Sequence, residues 1–152
     1  FDSMTPEERE AFLNSVAYGS TTDNNVQVSG YYDNNMAQEV FNLTNQERAN
    51  NGLPAYSWDS NMASYSDRRA KEIVTDYSHN SAGGNWSVGE NIAEGETSAS
   101  EVVNDWMNSA GHKANILSDV STKTSVSCYV ENFTYADEST QYLYHWVQNF
   151  TH

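Results

Sequence analysis

The chain has 152 residues, with 21 acidic and 7 basic side chains and a formal net charge of −14 at pH 7. So acidic a surface repels phosphate backbones and anionic lipid head groups, which argues against nucleic-acid binding and against polybasic membrane docking. The length suits one domain with its own core, and no run approaches the ~20 apolar residues of a transmembrane helix. The chain begins at Phe1 instead of Met, so we expect a processed form that lacks its export signal.

The first 33 residues are predicted to form an arm before the domain. Residues 5–8, Thr-Pro-Glu-Glu, combine a hydroxyl cap, a proline at the first helical position and an acid three residues after the cap, and so predict a short helix. Residues 19–33 are rich in Ser, Thr, Asn and Gly, a composition typical of a linker. The predicted organisation is an arm over 1–33 and a domain over 34–152.

The first part of the domain is predicted to be helical. Apolar residues recur at helical spacing from Met36 to Asn50, and a glycine and a proline follow within four residues. A second helix is predicted after Asp59, and a third after the capping box at residues 98–101. Residues 112–117 predict a short helical turn.

Two segments near the C-terminus are predicted strands. Thr124–Glu131 and Gln141–Phe150 are rich in Val, Tyr, Trp and Phe, and an acidic loop separates them, so they predict an antiparallel hairpin. Helices first and strands last predict an α+β fold. Cys128, the single cysteine, alternates with polar neighbours and is predicted to be a buried strand residue without a disulfide partner.

The candidates for chemistry are His79, Glu90 and His112. Two imidazoles and a carboxylate can hold a divalent metal such as zinc, with one position left to water. The same groups can form an acid–base pair if the fold brings them together. Spacing alone does not show that they meet, so exposed histidines and a loop-bracing carboxylate remain alternatives at this point.

Six blocks of sequence in order resemble the bacterial members of the CAP superfamily, the cysteine-rich secretory proteins, antigen 5 and pathogenesis-related proteins. These blocks are residues 40–54, 58–59, 78–79, 89–93, 106–117 and 144–150. The resemblance covers about residues 36–150. It implies a three-layer α-β-α sandwich with a central antiparallel sheet, and an extracellular or cell-surface location.

The resemblance also implies a cleft. In eukaryotic members this cleft holds two histidines and two acidic residues, and some members bind zinc or another divalent cation there. His79 matches the first histidine and Glu90 the first acid, but Ser109 stands at the second acidic position and about Gln141 at the second histidine. We expect His112 to enter the cleft instead, from the turn after the third helix, so the implied metal set is His79, His112 and Glu90.

Other residues in these blocks are given structural roles. Asn91 is expected to brace its loop, and Glu101 to cap the third helix. Tyr144 and Trp146 are expected in the core, and His145, which alternates with them, is expected to point outwards.

Three functions remain open from the sequence. The first is a secreted binding module whose cleft holds a metal ion or small ligand and whose surface meets an extracellular partner. The second is a metal-dependent, protease-like hydrolase, and the third is a structural or adhesive module of the cell surface or spore coat. The incomplete cleft set and the absence of a recognisable nucleophile motif favour binding over catalysis. We expect a monomer with no nucleic-acid partner and no cofactor beyond a possible divalent metal.

Overall fold

The structure is a computed structural model that describes residues 26–152. Five strands form one sheet: β1 (Gln27–Tyr32), β2 (Ser57–Trp58), β3 (Gly89–Glu94), β4 (Lys123–Thr134) and β5 (Thr140–Thr151). Four helices accompany them within residues 26–152: α1 (Asn34–Asn50), α2 (Ala63–Thr75), α3 (Ala99–Met107) and α4 (Ala110–Ile116).

The predicted hairpin forms the middle of the sheet. Strands β4 and β5 pair antiparallel over their whole length, and the sheet order is β1-β4-β5-β3. The two-residue strand β2 pairs parallel with the start of β4, at Lys123 and Thr124. Strand β1 pairs antiparallel with the other end of β4, from Tyr129 to Thr134. Strand β3 lies antiparallel to β5, and this register sets Glu90 opposite Asn149.

Helices cover both faces of the sheet, which confirms the α+β, three-layer sandwich. Helices α1, α3 and α4 pack on one face and α2 packs on the other. The larger core joins residues of α1, α3 and α4 to the sheet: Ala37, Val40, Val102, Val103, Trp106, Ile116, Ala93, Val126, Cys128, Val130, Trp146 and Phe150. The smaller core joins Ala70 and Ile73 of α2 to Ile92 and Val147. Cys128 is buried and unpaired, as predicted.

Local hydrogen bonds explain where two of the helices begin. The Asp33 side chain accepts from the Met36 amide at the start of α1. The Ser98 hydroxyl accepts from the Glu101 amide at the start of α3, which confirms the predicted cap. Each bond satisfies an amide that has no partner inside its helix.

A buried arginine ties α1 to the segments that follow it. Arg48 donates to the carbonyls of Pro54, Ile116 and Ser118 at 2.7 to 2.9 Å. Its guanidinium also lies 3.8 Å from the centre of the Tyr56 ring. Within residues 26–152 the charge is therefore satisfied by carbonyl dipoles and an aromatic face, without a carboxylate.

The linker prediction was wrong for residues 27–32, which form β1. This strand lies at an edge of the sheet and most of its side chains are exposed, so it lacks the apolar alternation by which strands are recognised. The short helix predicted over residues 5–8 lies outside the described residues.

Candidate functional site

The centre of the site is an ion pair between Arg69 of α2 and Glu90 of β3. Arg69 Nε lies 2.8 Å from Glu90 Oε2, and Arg69 Nη2 lies 2.9 Å from Glu90 Oε1. This two-point contact matches the planar guanidinium to the planar carboxylate. The arginine side chain is fully buried, and the glutamate side chain is 9% exposed. The pair therefore lies at the inner wall of the site and fixes α2 against the sheet.

Arg69 also fixes the loop that carries His79. Its Nη2 donates to the carbonyl of Ser78 at 2.5 Å, and its Nη1 donates to the carbonyl of Asn80 at 2.8 Å. The two bonds hold the backbone on either side of His79. One buried guanidinium thus positions both the carboxylate and the histidine loop.

The His79 ring is oriented by Glu90. Its Nδ1 lies 2.9 Å from Glu90 Oε1, while the side chain as a whole is 60% exposed. An ionised carboxylate can only accept, so Nδ1 carries the proton. In the neutral ring, Nε2 therefore presents a lone pair for a ligand to use.

Every acceptor position of Glu90 is in use. Oε1 accepts from Arg69 and His79, and Oε2 accepts from Arg69 and from the Asn149 side-chain amide at 2.9 Å. Burial alone would raise the pKa of Glu90, but the hydrogen bonds from Arg69, His79 and Asn149 outweigh it and lower the pKa to about 2. The carboxylate is therefore ionised throughout the physiological range and already fully coordinated.

His112 lies close to this group without a direct bond to it. The His112 carbonyl accepts from the side chain of Asn91, the residue after Glu90. Burial lowers the pKa of the His112 imidazole, and His79 adds a smaller electrostatic effect in the same direction. The Nδ1 atom of His112 is buried, with no hydrogen-bond partner among residues 26–152.

The structure thus brings His79 and Glu90 into contact. Within the described part of the chain, no three His, Cys, Asp or Glu side chains are grouped closely enough to hold a metal ion. The metal set of His79, His112 and Glu90 therefore stays a prediction.

A cleft of about 290 Å³ opens beside the His79–Glu90 pair. Its wall includes the buried ring of Tyr65 from α2 and the side chains of Asn85, Ser87 and Val88 from the loop before β3. Ser87 accepts a hydrogen bond from the Asn149 amide, which also holds Glu90. The cleft is therefore mixed in character, with polar groups at its inner end.

The residues given structural roles can now be placed. Asn91 braces the region as expected, because its amide donates to the His112 carbonyl and its side-chain oxygen accepts from Asn115. Ser109 precedes α4 as its N-cap residue. Gln141, at the position of the second family histidine, is exposed at the start of β5.

The prediction that His145 points outwards was wrong. Its side chain does lie on the opposite face from Trp146, but that face is covered, and the ring is fully buried. Its Nδ1 lies 2.9 Å from Glu94 and its Nε2 lies 2.6 Å from Glu131. Burial would lower the pKa of His145, but the hydrogen bonds to Glu131 and Glu94 outweigh it and raise the pKa. This second polar cluster is separate from the His79 cleft.

Two residues that position the site were missed in the sequence. Arg69 lies four residues after Tyr65 and four before Ile73, so a charged residue occupies the buried side of an amphipathic helix. That position was the available signal, because a charge there needs a buried partner. Asn149 gave no comparable signal, since its role depends on its register opposite Glu90.

The comparisons with known proteins agree with this geometry. The cysteine-rich secretory protein family, named CAP, matches residues 41–150. This chain belongs to the CAP family. The matched region contains α2, β3 and every residue of the His79 cleft.

Three relatives illustrate the relationship. Secreted protein RBT4 of Candida albicans is 29% identical over 97 residues, which cover 64% of this chain and 26% of RBT4. Uncharacterized protein YkwD of Bacillus subtilis is 30% identical over 128 residues, which cover 74% of this chain and 48% of YkwD. A solved structure of an extracellular protein containing an SCP domain, from Bacillus anthracis, is 26% identical with a TM-score of 0.61, and the match covers 78% of this chain and 41% of that one.

These relatives bear on location and extent. Two of the three are named as secreted or extracellular proteins, which confirms the predicted extracellular location of this CAP chain. The chain spans about a quarter and about half of the length of the two curated relatives. No helix within residues 26–152 is long and apolar enough to cross a bilayer.

Proposed function

We propose that this CAP domain is an extracellular binding module in which His79 contacts the ligand and Glu90 orients His79. The observation that carries the proposal is the constraint on the His79 ring. The side chain is 60% exposed, yet one ring nitrogen is held by Glu90 and the loop on both sides is held by Arg69. A binding group that is fixed before the ligand arrives loses little conformational entropy on binding.

A divalent metal is the first ligand to test. A metal-binding histidine usually donates its other ring nitrogen to a carboxylate, and Glu90 stands in that relation to His79. Glu90 itself fits poorly as a ligand because all of its acceptor positions are occupied. His112 fits better, since its buried Nδ1 has no partner in the described structure. Bound zinc would act there as a Lewis acid toward a ligand oxygen.

Calorimetric zinc titration at about pH 7.5 tests this assignment. The wild type is compared with His79→Ala, His112→Ala and, as a matched control, His152→Ala at the exposed chain end. We expect binding to be lost in the first two variants and kept in the third. Binding should also weaken at about pH 5.5, where imidazoles become protonated. Absence of binding, or binding unchanged in His79→Ala, would contradict the metal assignment.

A hydrolase is the second candidate, favoured by the same His79–Glu90 pair. A carboxylate that orients an imidazole is the arrangement of a general base, which here would act on a water molecule. Arg69 already compensates the charge of Glu90, which reduces the support that the carboxylate can give to a protonated imidazole. A panel of ester, peptide and peptidoglycan substrates should therefore show no turnover beyond that of His79→Ala. Turnover that depends on His79 would establish catalysis instead.

A further inference from the structure

Trp86 is a large aromatic residue exposed beside the cleft. The residue is 62% exposed, whereas Trp106 and Trp146 are fully buried. An indole left in water forgoes the stabilisation that a large apolar side chain gains on burial. Exposed apolar surface next to a cleft often marks a contact with a ligand or partner.

The indole is held in place by several contacts. Its Nε1 donates to the Gly83 carbonyl at 3.1 Å. The ring is parallel to that of Tyr65, with an angle of 3° between the planes and 5.9 Å between ring centres. The Arg68 guanidinium lies 5.5 Å from the indole and 5.0 Å from the Tyr65 ring, and it donates to the Ser81 hydroxyl. Trp86 is thus a positioned aromatic surface, built from α2 and the loop before β3.

This aromatic surface is continuous with the cleft. Tyr65, which stacks on Trp86, lines the cleft, and so do Asn85 and Ser87, its two chain neighbours. The cleft adds one amide, one hydroxyl and the exposed edge of His79 as hydrogen-bonding groups. The side chain of Val88, 59% exposed, adds a small apolar surface.

The chemistry of the site selects among classes of ligand. An anion would meet the Glu90 carboxylate in the cleft and a chain with a net charge of −14. A cationic group stacked on Trp86 would meet the Arg68 guanidinium, which already lies near both aromatic rings. A wholly apolar ligand would offer no partner to the Asn85 amide, to the Ser87 hydroxyl proton or to Nε2 of His79. A neutral ligand with one apolar face and several hydroxyl groups satisfies all of these groups.

We propose that Trp86 and the His79 cleft bind a neutral oligosaccharide of pyranose rings. The C–H face of one ring packs on the indole, and hydroxyl groups of its neighbour bond to Asn85, Ser87 and His79. The cleft lies at the small end of the range of roughly 300 to 1,000 Å³ for small-molecule pockets, which suits one sugar ring inside and one on Trp86. The inference deepens the proposed function and rests on it, because both use the same cleft.

The test is a titration with two soluble probes, cellotetraose and chitotetraose, followed by tryptophan fluorescence and calorimetry. We expect saturable binding of at least one probe by the wild type below about 10 mM. Trp86→Ala should weaken it at least tenfold, and Trp86→Phe, which keeps an aromatic face, should weaken it less. Tyr142→Ala, at an exposed tyrosine of β5 outside the cleft, should bind as the wild type does.

Two outcomes overturn the inference: no saturable binding of either probe by the wild type, or equal binding by the wild type and Trp86→Ala. Thermal unfolding of each variant checks that it is folded, and Trp86→Phe serves if the alanine variant is not. Zinc titration of Trp86→Ala separates this inference from the proposed metal site. Zinc binding without sugar binding refutes only the sugar site, and sugar binding without zinc binding refutes only the metal.

Discussion

Replacing Glu90 by glutamine removes the negative charge at the centre of the Arg69 network and preserves the size of the side chain. The pKa of Glu90 lies at about 2 in the folded protein, against a usual value of 4.5. At about 1.4 kcal/mol per pH unit, the ionised carboxylate contributes about 3 kcal/mol to the free energy of unfolding. This contribution is fully present above pH 4.5 and is lost as the pH falls from 4.5 towards 2, because the folded-state pKa is the lower one.

Urea unfolding of the wild type and Glu90→Gln at several values between about pH 7 and pH 2.5 measures this contribution. At neutral pH the variant should be less stable by about 3 kcal/mol, since Arg69 loses its two-point contact with an ionised carboxylate and keeps Glu72, 3.1 Å away, as its anionic partner. The difference should narrow below pH 4.5. Glu39→Gln, at an exposed glutamate of α1, is the matched control and should stay within about 0.5 kcal/mol of the wild type. A difference that does not change with pH would refute the assigned role of the ionised carboxylate.

The same variant tests the link between stability and binding. A neutral glutamine accepts a weaker hydrogen bond from His79 Nδ1 than an ionised carboxylate does, so the His79 ring is less firmly oriented in the variant. If zinc binds through His79, its affinity should fall about 10- to 100-fold in Glu90→Gln, as for other residues that orient a metal ligand. The comparison is made at neutral pH and low urea, where the variant remains folded.

Three further predictions concern residues outside the cleft. His145→Gln should destabilise the protein by about 3 to 5 kcal/mol at pH 6, because Glu94 and Glu131 lose their buried partner. Since the folded pKa of His145 is raised above 6.5, urea unfolding should show this difference shrinking as the pH rises through the folded pKa. Burial raises the pKa of the Cys128 thiol, so a thiol reagent should label it only after denaturation; rapid labelling of the native protein would contradict this. Arg48→Met leaves three carbonyls without their donor and should lower the free energy of unfolding by about 3 kcal/mol in urea titration, whereas a loss below 1 kcal/mol would contradict that accounting.

The elements with strong local patterns could be predicted from the sequence. The hairpin of β4 and β5 carries β-branched and aromatic residues on both sides of an acidic turn. Ser98 caps α3 by accepting from the amide of Glu101, only three residues further along the chain. These signals are contained within a few residues. β1 has no such signal because its pairing with β4 crosses about 100 residues of chain, and its own side chains are mostly exposed.

The site could be predicted only in part, for the same reason. His79 and Glu90 could be named because they lie in blocks that resemble a family. That Arg69 joins them, and that it saturates Glu90, depends on the packing of α2 on the sheet. The alternation of side chains along β5 predicted correctly that His145 faces away from Trp146, but it could not show that the second face is also covered.

The two faces of the sheet differ in chemistry, and the difference bears on function. The face under α1, α3 and α4 is largely apolar and close-packed. The face under α2 carries Glu90 and Asn149. His145 lies on this second face as well, four residues before Asn149 on β5. Buried charges of this kind cost several kcal/mol of desolvation, which an apolar core would avoid. Around Glu90 that cost is offset by a network that also fixes an exposed histidine.

Because Arg69 belongs to the middle of α2, a displacement of this helix would release Glu90 and both carbonyls beside His79 together. The cleft is therefore as rigid as the packing of α2 on the sheet, which is the property expected of a binding site formed before its ligand arrives.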